Sequence, residues 1–271
     1  MIESYRKMLE YIGLVTRNEC TDAINSILDT IATKESNAQS LSEMYEITLI
    51  ALKSSKNERL WQQTNLKLAK LYLEANKLTE VERLLLVLKQ ACQQPDGSED
   101  VSKNAGLLEI YCLEIQLCSL THDMQRMQSI YPKTVSNSTV SDPRIMGIIR
   151  EEGGKMYMAE SNWMSAFNEF YEAFRSYQEA GHLRAKDCLK YVVLASILSL
   201  SDINPFAARE AKAFIDDPEI VAMSNLRQSL ETNDLVRFEK TISNPNNHIE
   251  DEPFILNYIA PLRRRIREQV R

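Results

Sequence analysis

The stretch Gly153-Gly154-Lys-Met-Tyr157, followed by Ala166-Phe-Asn-Glu-Phe170-Tyr-Glu-Ala173, decides the fold. Gly154, Tyr157, Ala166, Phe170 and Ala173 alternate small and aromatic side chains at a spacing that suits two antiparallel helices crossing closely. Small residues let the backbones approach, and the aromatic rings fill the space beside the crossing. Such a pair cannot bury its apolar face alone, so it must stack on further pairs as a solenoid.

The same reading extends outward. Leu68, Ala69 and Tyr72 form a weaker copy, and beyond these the period drifts. The pattern resembles a degenerate tetratricopeptide array, a right-handed superhelix of TPR-like helix pairs. Helical stripes run almost from the start. Tyr5, Met8, Leu9, Ile12 and Val15 share one face, and Thr21 and Asp22 cap a second helix with Ile24, Ile27, Leu28 and Ile31 inward. Helices follow at about Ser40–Lys53, from Asn57, at Leu78–Ala91, Asn104–Leu120 and Met124–Tyr131. The pattern continues at 143–159, 162–180, 184–200, 206–214, 217–231, 234–243 and 249–270. Gln93-Gln-Pro-Asp-Gly-Ser-Glu-Asp100 reads as the clearest flexible connection, and Asp142-Pro143 as a helix start. No alternation of period two suggests a sheet. The fold class is all-α.

Composition agrees. The 271 residues are 44% hydrophobic and 26% charged, a globular balance. They include only 7 glycines and 8 prolines, where average usage gives roughly 19 and 14. Few turn-formers predict few turns and long elements. A net charge of −6 argues against a general nucleic-acid surface. Five cysteines without a C-x-x-C pair indicate a reducing compartment. No secretory signal opens the chain, and the greasy run Tyr191–Leu200 is about half of the ~20 residues a membrane span needs. The apolar stripe Ile255, Ile259, Leu262 and Ile266 runs nearly to the end, and the first helix begins by residue 4. Both ends therefore read as cuts through a larger array.

Chemistry is thin. His122, His182 and His248 lie far apart beside helix ends, and Cys112 and Cys118 are too far apart on one helix for joint ligation, so zinc has no support. No G-x-S-x-G or phosphate loop is present; Gly153-Gly154 sits in a helix as a close-packing device. Glu151-Glu152 reads as a solvated turn. Trp61 and Trp163 are expected in the core. Two basic sets remain as a candidate polyanion or partner surface. One is Arg263, Arg264, Arg265 and Arg267, with Arg271 close behind; these can hold phosphates or simply complement a helix C-terminus. The other is Arg150, Lys155, Arg184, Lys186 and Lys190, which stacking could place on one surface.

Several strings then become recognisable: Arg17-Asn18, Ile24-Asn-Ser-Ile-Leu-Asp29, Arg59-Leu-Trp61, Leu71-Tyr-Leu-Glu74, Ile145-Met-Gly-Ile-Ile-Arg-Glu151, Phe170-Tyr-Glu-Ala-Phe174, Cys188-Leu-Lys-Tyr191, Ile203-Asn-Pro-Phe206, Glu210-Ala-Lys212 and Asp217-Pro-Glu-Ile220. Over nearly the whole chain they resemble the family of subunit 2 of the COP9 signalosome. The Ile203–Phe206 and Asp217–Ile220 strings favour it over the paralogue of the proteasome lid.

The resemblance implies a TPR-like arm over 1–185 and the helical part of a PCI domain over 186–271, with the winged helix absent. It implies a scaffold and not an enzyme, in a complex that removes Nedd8 from cullin-RING ligases. Implied partners are the other signalosome subunits and a cullin with its RING subunit, in cytoplasm and nucleus, with neither membrane nor nucleic acid. No cofactor is implied for this chain, although inositol hexakisphosphate is attributed to the family's arm. A proteasome-lid adaptor, or an RNA-binding adaptor using the arginine cluster, stands as the alternative.

Overall fold

The computed structural model describes residues 2–34, 38–53, 57–94, 104–136, 142–200 and 203–269. Pro95–Asp100 of the expected connection, and Arg271, lie outside them. The described residues are helical and contain no β-strand. They divide into two compact units, Met1–Asp123 and Met124–Arg271.

The first unit holds α1 (Ile2–Leu9), a 3-10 turn (Ile12–Leu14), α2 (Arg17–Lys34), α3 (Ala38–Leu52), α4 (Glu58–Glu74), α5 (Leu78–Ala91) and α6 (Asn104–Thr121). Consecutive helices pack from α2 through α6. Their buried residues include Leu28, Met44, Leu60, Leu85, Leu88, Ile110 and Leu113. Tyr5 ties α1 to α3 through a 2.7 Å hydrogen bond with Thr48. Two sequence expectations fail here. The first stripe does not continue to Val15, which is half exposed, because the helix ends at Leu9 and the chain tightens into the 3-10 turn. Thr21 and Asp22 do not cap α2; Thr16 and Glu19 do, in a reciprocal pair. The Thr21 hydroxyl instead donates to the Arg17 carbonyl at 2.7 Å.

The second unit holds α7 (Met124–Ser136), α8 (Pro143–Ala159), α9 (Trp163–Glu179), α10 (Ala185–Leu198), α11 (Arg209–Lys212), α12 (Pro218–Glu231), α13 (Leu235–Ile242) and α14 (Pro253–Gln269). Asp142 and Asp217 cap α8 and α12, each followed by proline at the first helical position. The helix expected to end at Tyr131 runs past Pro132 to Ser136. The helix expected over 206–214 contracts to α11, because Asn204 and Phe206 close an Asx turn ahead of it.

The α8–α9 crossing is built as the sequence suggests. A Cβ on Gly154 would lie 2.5 Å from the Phe170 ring, and one on Gly147 would lie 2.7 Å from the Tyr177 ring. The glycines stand seven residues apart on α8, and their aromatic partners seven apart on the antiparallel α9. Gly153 is filled from the other side, by Tyr131 of α7. Phe170 packs on Tyr191 and Phe254, with ring centroids 5.3 and 5.9 Å away. One core runs from Met158 to Ile266. The expected divide at 185/186 falls at the start of α10, whose residues share this core.

Turns prove numerous despite the scarcity of glycine. Asn76, His122, Ser161 and Asn233 take the left-handed conformation that glycine usually supplies, and Gly181 takes it once. In all five turns the next residue's N–H reaches back across the helix end: Lys77 to Tyr72, Asp123 to Cys118, Asn162 to Tyr157, His182 to Tyr177 and Asp234 to Ser229, at 2.8–3.0 Å. This is the Schellman closure. Asn162 and Asp234 then cap the following helix with their side chains. One residue thus ends a helix and the next begins another, so a chain poor in glycine still folds into hairpins.

Candidate partner surface and buried charge network

Glu151 and Glu152 do not form a solvated turn. They lie mid-helix in α8, and Glu151 is 2% exposed. Its carboxylate collects Arg184 bidentately, with Nε at 3.0 Å from Oε2, together with Lys155 Nζ at 2.8 Å and the Tyr177 hydroxyl at 2.9 Å. Burial pushes the Glu151 carboxyl upward, but Lys155 and Arg184 outweigh it and hold the group below its ordinary value. Tyr177 is raised by burial and by the Glu151 charge, so it stays a phenol that donates. Lys155 also reaches Glu152 at 2.8 Å. Arg150, one residue before this pair, turns elsewhere: it meets Glu169 at 2.7 Å, and Glu169 also accepts from Tyr131.

A second hub centres on Glu219 at the start of α12. Lys186 and Lys190, four apart on α10, reach its two oxygens at 2.7 and 2.8 Å. Lys190 is almost fully buried and is further answered by Asp187 at 2.9 Å and Glu252 at 3.8 Å. Burial opposes its charge, yet the Glu219 and Asp187 hydrogen bonds raise its pKa. Burial likewise pushes Glu219 upward, but Lys186 and Lys190 hold its carboxyl below the ordinary range.

The arginines of α14 also divide. Arg263 grips Glu239 with two bonds, 2.7 and 2.9 Å, and Arg267 approaches the same carboxylate at 3.7 Å. Arg265 donates to the Ile197 carbonyl at 3.3 Å, while Arg264 is exposed. Thus the structure joins Lys155 with Arg184, Lys186 with Lys190, and Arg263 with Arg267, each pair across one carboxylate. Neither tryptophan is fully buried: Trp61 lines a pocket with Arg59 and Gln62, and Trp163 meets the Tyr258 ring edge-on at 6.1 Å. All five cysteines are buried. Among the described residues no group of three potential ligands could hold a metal, and no helix is long and apolar enough to cross a membrane.

No family model matches the chain. Curated proteins do. The chain is 43% identical over 272 residues to COP9 signalosome complex subunit 2 of Drosophila melanogaster, covering all of this chain and 61% of that protein. The protein of the same name from Dictyostelium discoideum is 43% identical over 273 residues, with 100% and 61% covered. That of Schizosaccharomyces pombe is 35% identical over 274 residues, with 100% and 62% covered. Along its whole length the chain is similar to proteins that all carry the name COP9 signalosome complex subunit 2.

The chain spans about three fifths of the length of these relatives (61%, 61% and 62%). The residues that sequence reading missed are the carboxylates. Glu151, Glu169, Glu219 and Glu239 organise the cations it singled out, apart from Arg264 and Arg265. Only the Glu151–Lys155 spacing of one helical turn offered a local signal. Arg184, Lys186 and Arg263 meet their acids 33, 33 and 24 residues away.

Proposed function

We propose that the chain is a non-catalytic scaffold subunit of a signalosome-type complex. Its helical arm holds a cullin with its RING subunit, its PCI helices support assembly with sister subunits, and removal of Nedd8 is performed elsewhere in the complex. Cytoplasm and nucleus are the compartments this role requires. The observation that carries the reading is the unbroken homology to proteins named as signalosome subunits. The charge networks support it: Glu151 and Glu219 are each held ionised by two cations, which suits carboxylates that fasten helices and not ones that exchange protons. No inositol phosphate is assigned to Lys155, Arg184, Lys186 or Lys190, since each already has a carboxylate partner.

The test is co-expression of the chain, extended to the span of its relatives, with the remaining signalosome subunits. A stoichiometric complex that captures a cullin–RING pair, with no cleavage of Nedd8–cullin by the chain alone, is the expected result. Isopeptidase activity of the isolated chain would overturn the scaffold reading. Recovery of proteasome-lid subunits or RNA in place of signalosome subunits would overturn the choice of partner.

A further inference from the structure

The α12 surface carries a groove of about 490 Å³ that neither charge hub uses. Its walls are apolar. Phe206 and Ile215 flank one side, Val221 stands on α12, and Ile215 and Val221 are 44% and 40% exposed. Its polar lining is one-sided in character. Arg237 of α13 donates to Asn225 Oδ1 and to Gln228 Oε1, both at 2.7 Å. A guanidinium can only donate, so both amide oxygens are committed to it and the orientation of both amides is fixed. Asn225 and Gln228 line the groove, and their NH₂ groups have no acceptor among the described residues. Behind them, Arg237 has no carboxylate within ion-pair distance among those residues, so its charge is not cancelled. The 203–206 segment is tied in place, with Arg227 donating to the Ile203 carbonyl at 3.1 Å and pairing with Glu231 at 2.8 Å.

We propose that this groove binds a short extended peptide segment of a protein partner, in which a carboxylate stands beside an aliphatic or aromatic side chain. The carboxylate takes the Asn225 and Gln228 donors with Arg237 behind them, a charge-assisted arrangement, and the apolar side chain lies between Ile215, Phe206 and Val221. One uncompensated guanidinium matches one carboxylate; a polyphosphate would meet Glu231 at the groove's edge. The inference goes beyond the scaffold assignment and does not rest on it.

The test is selection from a phage-displayed random peptide library against the full chain, with counter-selection on Gln228→Glu, and fluorescence anisotropy of the enriched peptides. Gln228→Glu keeps an oxygen for Arg237 and so preserves the fold, but it puts a charge where the groove had a donor. Enriched peptides that pair Asp or Glu with Leu, Ile or Phe are expected. Their affinity should fall at least about tenfold in Gln228→Glu and in Val221→Ser, with unfolding midpoints near wild type. The proposal is overturned by the absence of enrichment, by enrichment of basic peptides, by undiminished binding to Gln228→Glu, or by a mixed-sequence RNA oligonucleotide that binds the same groove. Assembly with signalosome subunits is measured separately: Gln228→Glu that still assembles but binds no peptide, or wild type that binds peptide but does not assemble, separates the two readings.

Discussion

Gly154 and Phe170 share a volume that holds only one side chain. The Phe170 ring stands 2.5 Å from the place a Gly154 Cβ would take. Tyr191 and Phe254 pack against the same ring. The approach of α8 to α9 is therefore fixed by what is missing at one position and present at the other.

Gly154→Ala should overpack this crossing at about 1–3 kcal/mol, partly offset by the ~1 kcal/mol alanine gains in a helix. The ring is fully buried, with Tyr191 and Phe254 packed against it, so a net loss of stability is expected by urea unfolding. In a Phe170→Leu background the same change should cost less, and strict additivity of the two changes would refute the shared volume.

Glu151→Gln should destabilise at the lower end of the ~3–5 kcal/mol typical for breaking a buried pair, since Arg184 is 45% exposed and can turn to solvent. Lys155 keeps Glu152. A loss under about 0.5 kcal/mol would show the hub to be incidental.

The pH dependence has a definite sign. Glu151 and Glu219 are held below the ordinary carboxyl value of 4.5 in the folded chain. The unfolded chain therefore takes up protons first as pH falls. The stability these groups confer is complete above the unfolded value and is lost as pH drops toward their folded values. Urea midpoints should decline below about pH 4.5, and a Glu151→Gln, Glu219→Gln double variant should show a shallower decline. An identical slope would refute the assignment.

Lys190→Met should behave in the opposite way. Without the ammonium, Asp187, Glu219 and Glu252 keep their charges around an apolar tip, although Lys186 still pairs with Glu219. Like charges raise the folded carboxyl values. The variant should be clearly less stable at pH 7 and should recover part of its deficit as pH is lowered toward 5. A constant deficit across that range would count against the cluster.

On α14, Arg263→Gln should cost about 0.2–1 kcal/mol, the usual range for exposed pairs, because both partners are about one third exposed. Arg264→Gln should fall within about 0.5 kcal/mol of wild type. A larger effect of Arg264 would mean that its exposed side chain has a structural partner.

The helices were legible where local chemistry sets their ends. Asp142-Pro143 and Asp217-Pro218 mark two starts, and the stop of α5 at Ala91 precedes the turn-forming run from Gln93. The close crossing was legible too, because Gly154 and Phe170 carry it in their sizes. What could not be read depends on distance along the chain. Glu151 looks like any surface acid until Arg184, 33 residues on, is brought against it. The expectation of few turns failed because Asn76, His122, Ser161 and Asn233 do glycine's conformational work. The basic residues stand out in the sequence, but their burial and their acids come only from tertiary packing.

The two adjoining glycines of α8 have a genetic corollary. Gly153 faces Tyr131 on α7, whereas Gly154 faces Phe170 on α9. Neighbouring codons therefore report on different interfaces. A lesion at the first should be rescued by second-site changes upstream of α8, and a lesion at the second by changes downstream. A suppressor screen run on both would trace the two contacts independently, with a single peptide bond separating their origins.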